Sequence, residues 1–153
     1  MKIILRWVGK TKNPWLARLI EDYHSRIRHF SEVTFSEVKP TQGLDITQSV
    51  LVEGSRLLSK IDRDDYLIAL DPLGQQIGSE RFAEIIAERR EHSLKKLVFV
   101  LGGAGGLSSA VKSRCQRLIS LSSMTFNHEM ARLILVEQIY RALTLVNQHP
   151  YHK

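Results

Sequence analysis

The sequence predicts an α/β fold, a mostly parallel sheet flanked by helices, and three observations predict it. Short apolar runs alternate with helical patterns along the whole chain, the order that builds parallel sheets. The run Tyr66-Leu67-Ile68-Ala69-Leu70 is apolar at every position, as a strand covered on both faces requires. The chain of 153 residues has no repeat, low-complexity tract or linker, so one domain spanning residues 1–153 is expected.

Taken in order, Ile3 to Val8 is a first strand. Asn13-Pro14 supplies an N-cap followed by proline at the first helical position, and Leu16, Leu19, Ile20, Tyr23 and Ile27 keep helical spacing to about Arg28. Val33 to Val38 is a second, weaker strand, and Pro40 and Gly43 make Lys39 to Asp45 a loop. Val50, Leu51, Gly54, Leu57, Leu58 and Ile61 mark another helix. Asp71-Pro72-Leu73-Gly74 ends the Tyr66–Leu70 strand, and Ser79 is expected to cap a helix reaching about Arg90. The strand Leu97 to Leu101, the helix Ser109 to Gln116 and the strand Leu118 to Leu121 follow. The last helix, from His128 to about Gln148, has 12 apolar residues among its first 19, more than one stripe can use. The sequence therefore predicts a second copy of the chain as its other cover, a homodimer.

Composition excludes several classes. With 43% hydrophobic and 25% charged residues the chain is ordinary globular, and no apolar run reaches membrane-spanning length. The N-terminus lacks the apolar core and cleavage site of a secretory signal, and Cys115 has no second cysteine to pair with. Both point to the cytoplasm, and Cys115 is expected to pack in a small helix. The net charge of +6 is unevenly spread, with +1 in residues 1–76 and +5 in residues 77–153. A basic surface beside the late loops suggests a polyanionic partner such as nucleic acid.

Gly102-Gly103-Ala104-Gly105-Gly106 follows a strand and precedes a helix with Ser108 at its cap, an arrangement that brings a ligand close to backbone N–H groups. It is not a P-loop, because no Gly-Lys-Ser/Thr follows. The dinucleotide spacing fails at Ser108, and no acidic residue before Glu129 is left to hold a ribose, which disfavours a nicotinamide oxidoreductase. His128-Glu129 opens like a metalloprotease helix, but the residue four positions beyond His128 is Arg132, so no metal is expected. No serine, histidine and aspartate order stands out for hydrolysis. His24, His29 and His92 lie among charged residues and read as surface, whereas His128, His149 and His152 accompany the late loops and the tail.

In combination these motifs are specific. Leu-Gly-Gly-x-x-Gly-Leu at 101–107, Leu-Ser-x-Met-Thr-Phe-x-His at 121–128, Arg132, Glu137-Gln138-x-Tyr140-Arg141-Ala142 and the terminal His149-Pro150-Tyr151-His152-Lys153 closely resemble the bacterial ribosomal RNA large-subunit methyltransferase H family. That family lies within the SPOUT superfamily of S-adenosylmethionine enzymes, and the likeness covers the whole chain. It implies a C-terminal trefoil knot, an obligate homodimer and methyl transfer to N3 of a pseudouridine in 23S rRNA. A matching non-catalytic reading is an rRNA- or ribosome-binding factor of the same fold. The resemblance assigns S-adenosylmethionine contacts to Leu70, Gly102, Leu121, Ser122, Ser123, Met124, Thr125 and Phe126. His152 is expected to take the acceptor proton, Tyr151 to stack on a base, and Arg132 to pair with phosphate or a uracil oxygen. The family usually has proline where this chain has Asn127, and a polar residue or proline where it has Ala104-Gly105. So small a chain has no separate RNA-binding domain, so a large preformed surface is expected as substrate rather than bare RNA.

Overall fold

A computed structural model describes residues 1–92 and 94–151. Ten elements alternate: β1 (Lys2–Val8), α1 (Pro14–Ile27), β2 (Val33–Val38), α2 (Ile46–Leu58), β3 (Tyr66–Gln76), α3 (Ser79–Glu91), β4 (Lys96–Leu101), α4 (Ser109–Arg114), β5 (Arg117–Ser120) and α5 (His128–Val146). The five strands form one sheet in the order β2-β1-β4-β3-β5, and every pairing is parallel. The α/β class, the parallel sheet flanked by helices and the element order are as the sequence predicts.

Strand alternation divides the core into two halves. Ile3, Leu5 and Trp7 of β1 and Leu97, Phe99 and Leu101 of β4 join Ile20 and Ile27 of α1, Ile85 and Ile86 of α3, and Leu135 and Ile139 of α5. The intervening Val98 and Val100 point the other way, with Leu57 of α2 and Val111 of α4. Arg6 is buried on that second face, where its guanidinium donates to the carbonyls of Arg56 and Leu57 at 2.8 and 2.7 Å. A cation at the C-terminal end of α2 offsets the unpaired carbonyls there.

Two local expectations are corrected. Asp71-Pro72-Leu73-Gly74 does not end β3: the strand bulges there and resumes, so that both Leu70 and Gln75 pair with Ile119. Gly74 permits this, since a Cβ at that position would lie 2.6 Å from the Ile119 backbone. The cap of α3 is Gly78 rather than Ser79, whose hydroxyl donates instead to Gln138 of α5 at 2.7 Å. The last helix, α5, packs against α1 and α3, and Met130, Ala131, Leu133, Ile134, Leu145 and Val146 remain half-buried, so packing within the chain leaves part of its apolar surface uncovered.

Candidate functional site

The C-terminal ends of parallel strands carry the loops where ligands bind in open α/β sheets. Here the ends of β3, β4 and β5 surround a cleft of about 400 Å³. Leu70, Asp71 and Pro72 come from β3, Leu101 to Ala104 with Gly106 and Leu107 from the glycine loop, and Ile119 to Ser122 with Met124 to Asn127 from the turn after β5. His128 and Ala131 of α5 complete the wall.

Each wall is held by its own chemistry. In the glycine loop the Gly106 N–H donates to the Gly103 carbonyl at 3.1 Å, and the two residues form a small antiparallel bridge. The loop closes so tightly that a Cβ on Gly102 would lie 2.3 Å from the Gly106 carbonyl oxygen. Gly105 is equally constrained from outside, because its Cβ would meet Val50 of α2 at 2.6 Å. The departure at Ala104-Gly105 thus has a packing reason. The turn after β5 is tied by the Ser120 hydroxyl donating to the Ser122 carbonyl at 2.8 Å and the Met124 N–H donating to the Ser122 hydroxyl at 3.0 Å. Asn127 caps α5, its side chain accepting from the N–H groups of Glu129 and Met130 at 3.0 and 2.9 Å, so proline is not needed there.

The β3 bulge and the β1–α1 connection are anchored by charges. Asp71, buried, pairs with Lys112 of α4 at 2.6 Å and accepts from the Leu73 N–H at 2.9 Å. The Glu129 carboxylate accepts from the N–H groups of Lys12 and Asn13 at 2.8 and 3.0 Å, which holds it below the usual carboxylate range. Glu53 of α2, also buried, accepts from the Thr41 N–H and hydroxyl and lies against Gly103.

Of the cofactor contacts expected from sequence, Leu70, Gly102, Leu121, Ser122, Met124, Thr125 and Phe126 line the cleft. Ser123 belongs to the same turn but is not on the cleft wall. Arg132 is 0% exposed and lies outside the cleft lining. Its guanidinium stacks over Trp7 at 5.2 Å and donates to the Val8 carbonyl at 2.6 Å and the Thr11 hydroxyl at 3.0 Å. Burial lowers its pKa. Tyr151 packs edge-on against Tyr140 at 4.7 Å, under the Arg141 guanidinium and beside the Tyr23 hydroxyl. Burial, then the Tyr23 hydroxyl, raises its pKa. The Tyr151 hydroxyl also donates to Glu137 at 3.4 Å, six residues along α5 from the cleft-lining Ala131, or ~9 Å along the helix axis. His152 lies outside the described residues. Cys115 ends α4, half-buried, and burial pushes its thiol up to about 11. Asp71, Lys112, Glu53 and His128 were not assigned to the site from sequence. For Asp71 the available signal was a charged residue directly after an all-apolar strand.

Among the described residues no group of three or more histidines, cysteines or carboxylates is placed to hold a metal, and no helix is long and apolar enough to cross a membrane.

Residues 1–152 match the family model described as "Predicted SPOUT methyltransferase". The chain is 40% identical over 152 residues to a Ribosomal RNA large subunit methyltransferase H from Trichlorobacter lovleyi, and 41% identical over 155 residues to one from Christiangramia forsetii, each time covering 99% of both chains. Among solved structures it resembles a probable methyltransferase from Bordetella pertussis Tohama I, with TM-score 0.57 and 14% identity over 92% of this chain and 95% of that one. It also resembles a probable methylase family protein from Haemophilus influenzae Rd KW20, with TM-score 0.55 and 16% identity over 99% of this chain and 70% of that one. At those identities the two structures bear on the fold alone. The full-length matches settle the family: the chain belongs to the SPOUT methyltransferases, in the group of the ribosomal RNA large subunit methyltransferases H.

Proposed function

We propose that the protein, acting in the cytoplasm as one domain over residues 1–153, transfers a methyl group from S-adenosylmethionine to N3 of a pseudouridine in the 23S rRNA of the large subunit. Family membership carries the reaction class, the cofactor and the rRNA substrate. The observation that supports the site is a cleft of about 400 Å³ built from backbone turns and apolar side chains at the ends of β3, β4 and β5. Such a surface fits an adenosine whose base needs a donor and an acceptor side by side. Bound there, S-adenosylmethionine supplies a methyl group already activated on a sulfonium.

The chain's own work is placement and proton handling. Leu70, Leu101 and Met124 offer apolar surface, and Gly102 with the turn from Leu121 to Phe126, Ser123 among them, offers backbone groups. Arg132 acts by position: it pins the β1–α1 connection to α5 and does not face the RNA.

A trefoil knot deepens the fold reading. Its support is membership of the SPOUT methyltransferases, whose resemblance implies that knot. The homodimer is supported by the half-buried apolar residues of α5. Tyr151 is docked against Tyr140 and Glu137 of α5 and is not on the cleft wall, so a tail that carries Tyr151 and His152 to an RNA base would serve the cleft of a second copy. The outward face of α1, where Trp15 is 71% exposed beside Leu19, is apolar surface available to that copy.

Titration calorimetry with S-adenosylmethionine tests the proposal. Saturable one-site binding per chain is expected, and a non-catalytic ribosome-binding factor would give no heat.

A further inference from the structure

Among the described residues the cleft wall carries two ionisable side chains, Asp71 and His128. Asp71 is committed. Its carboxylate is buried, paired with Lys112 at 2.6 Å and bonded to the Leu73 N–H, so it holds the β3 bulge and is not a free base. His128 is the opposite case. It is the first residue of α5, fixed in place by the Asn127 cap, and its side chain is exposed at the cleft. Neither ring nitrogen has a hydrogen-bond or ion-pair partner among the described residues.

The acceptor in the proposed reaction is an imide nitrogen, which attacks well only as it loses its proton. Histidine is the side chain suited to take up and return a proton near neutral pH. Resting on the methyl-transfer reading above, we infer that His128 is the residue that takes the N3 proton. The N3–H bond breaks, its proton passes to a neutral ring nitrogen of His128, and the nitrogen electron pair forms the bond to the methyl carbon. The carbon–sulfur bond breaks with its pair kept by sulfur, so charge balances and no further reactant is needed. His128 lines the cleft of its own chain, so this base and the cleft belong to one chain.

The charged groups around His128 are mostly engaged. Glu129 is bound to the amides of Lys12 and Asn13, Arg132 to Val8 and Thr11, and Asp71, the other charged group of the cleft wall, to Lys112. Lys10 and Lys12 on the β1–α1 connection are exposed and raise the local positive potential.

Two readouts test this with His128→Gln, and His128→Asn as a second variant. Calorimetry from about pH 5.5 to about pH 8.5 follows cofactor affinity without turnover. Both variants are expected to bind S-adenosylmethionine and S-adenosylhomocysteine within about threefold of wild type across that range, because the inferred role is on the acceptor proton and not on the cofactor. In single turnover on ribosomes, the variants are expected to lose on the order of 10²–10⁴ in rate and the acid limb of the profile, while His152→Gln keeps that limb. Variants that transfer methyl within about threefold of wild type, that keep the acid limb, or that no longer bind the cofactor would each overturn the assignment. A wild-type protein that neither bound S-adenosylmethionine nor methylated ribosomes would overturn the methyltransferase reading instead.

Discussion

Replacing Gly102 with alanine adds one methyl group to the tightest point of the cleft. That carbon would meet the Gly106 carbonyl oxygen at 2.3 Å and its carbon at 2.5 Å, both backbone atoms that no rotamer change can move. Relief requires the loop to open by about 1 Å against the hydrogen bond from the Gly106 N–H to the Gly103 carbonyl. Overpacking of this kind costs about 1–3 kcal/mol. Because the strained turn is itself the cofactor wall, the cost should appear in binding. A 1–3 kcal/mol penalty corresponds to roughly a 5- to 150-fold rise in Kd for S-adenosylmethionine. Gly43→Ala is the control for general destabilisation. Gly43 has φ +70 in open space on the loop before α2, so alanine there costs about 1–2 kcal/mol of backbone strain away from the cleft. Calorimetry should find Gly43→Ala near wild type in cofactor affinity and Gly102→Ala weakened. A folded Gly102→Ala protein with Kd within about twofold of wild type would refute the backbone-built pocket.

Three further outcomes follow from single contacts. Arg132→Met leaves the Val8 carbonyl without its donor inside the core, a loss of about 2 kcal/mol, and thermal unfolding should drop by roughly 4–8 °C; an unchanged Tm with lost activity would return Arg132 to the RNA surface. Glu129 has a folded-state pKa below 4.5, so its contribution is complete above that value and is lost as pH falls through the lower one. Melting curves of Glu129→Gln should therefore converge on wild type at acid pH and lie below it near neutrality, and a constant gap at all pH values would contradict the clamp. Cys115, with its thiol pushed up to about 11, should resist alkylation at pH 8 in the native protein and react on unfolding; rapid native labelling would show the burial to be wrong.

The fold was legible because its signals are local. Asn13-Pro14, the all-apolar run at 66–70 and the alternation of Leu97, Phe99 and Leu101 each specify an element from neighbouring residues alone. Motif spacing singled out the turn from Leu121 to Asn127, most of which lies on the cleft wall. What the sequence misplaced depends on contacts distant along the chain. Gly74 reads as a turn residue until β5 is seen against it, and Gly78 takes the cap because Ser79 is drawn to Gln138, 59 positions away. The breadth of the apolar surface on α5 is visible in sequence, but whether α1 and α3 or another copy covers it is a matter of packing. Arg132 shows the same limit in chemistry. An arginine near a site motif suggests an anion, and only the structure reveals a guanidinium turned inward onto Trp7, Val8 and Thr11.

The central claim is a methyl group placed on one base of the large subunit. Mass spectrometry of 23S rRNA from cells with and without this protein measures that directly. The account predicts N3-methylpseudouridine in the first sample, its absence in the second, and its restoration when purified protein and S-adenosylmethionine are added to ribosomes from the deficient cells, with bare stem-loop RNA a poor substrate. Identical N3-methylpseudouridine content in both samples would contradict it.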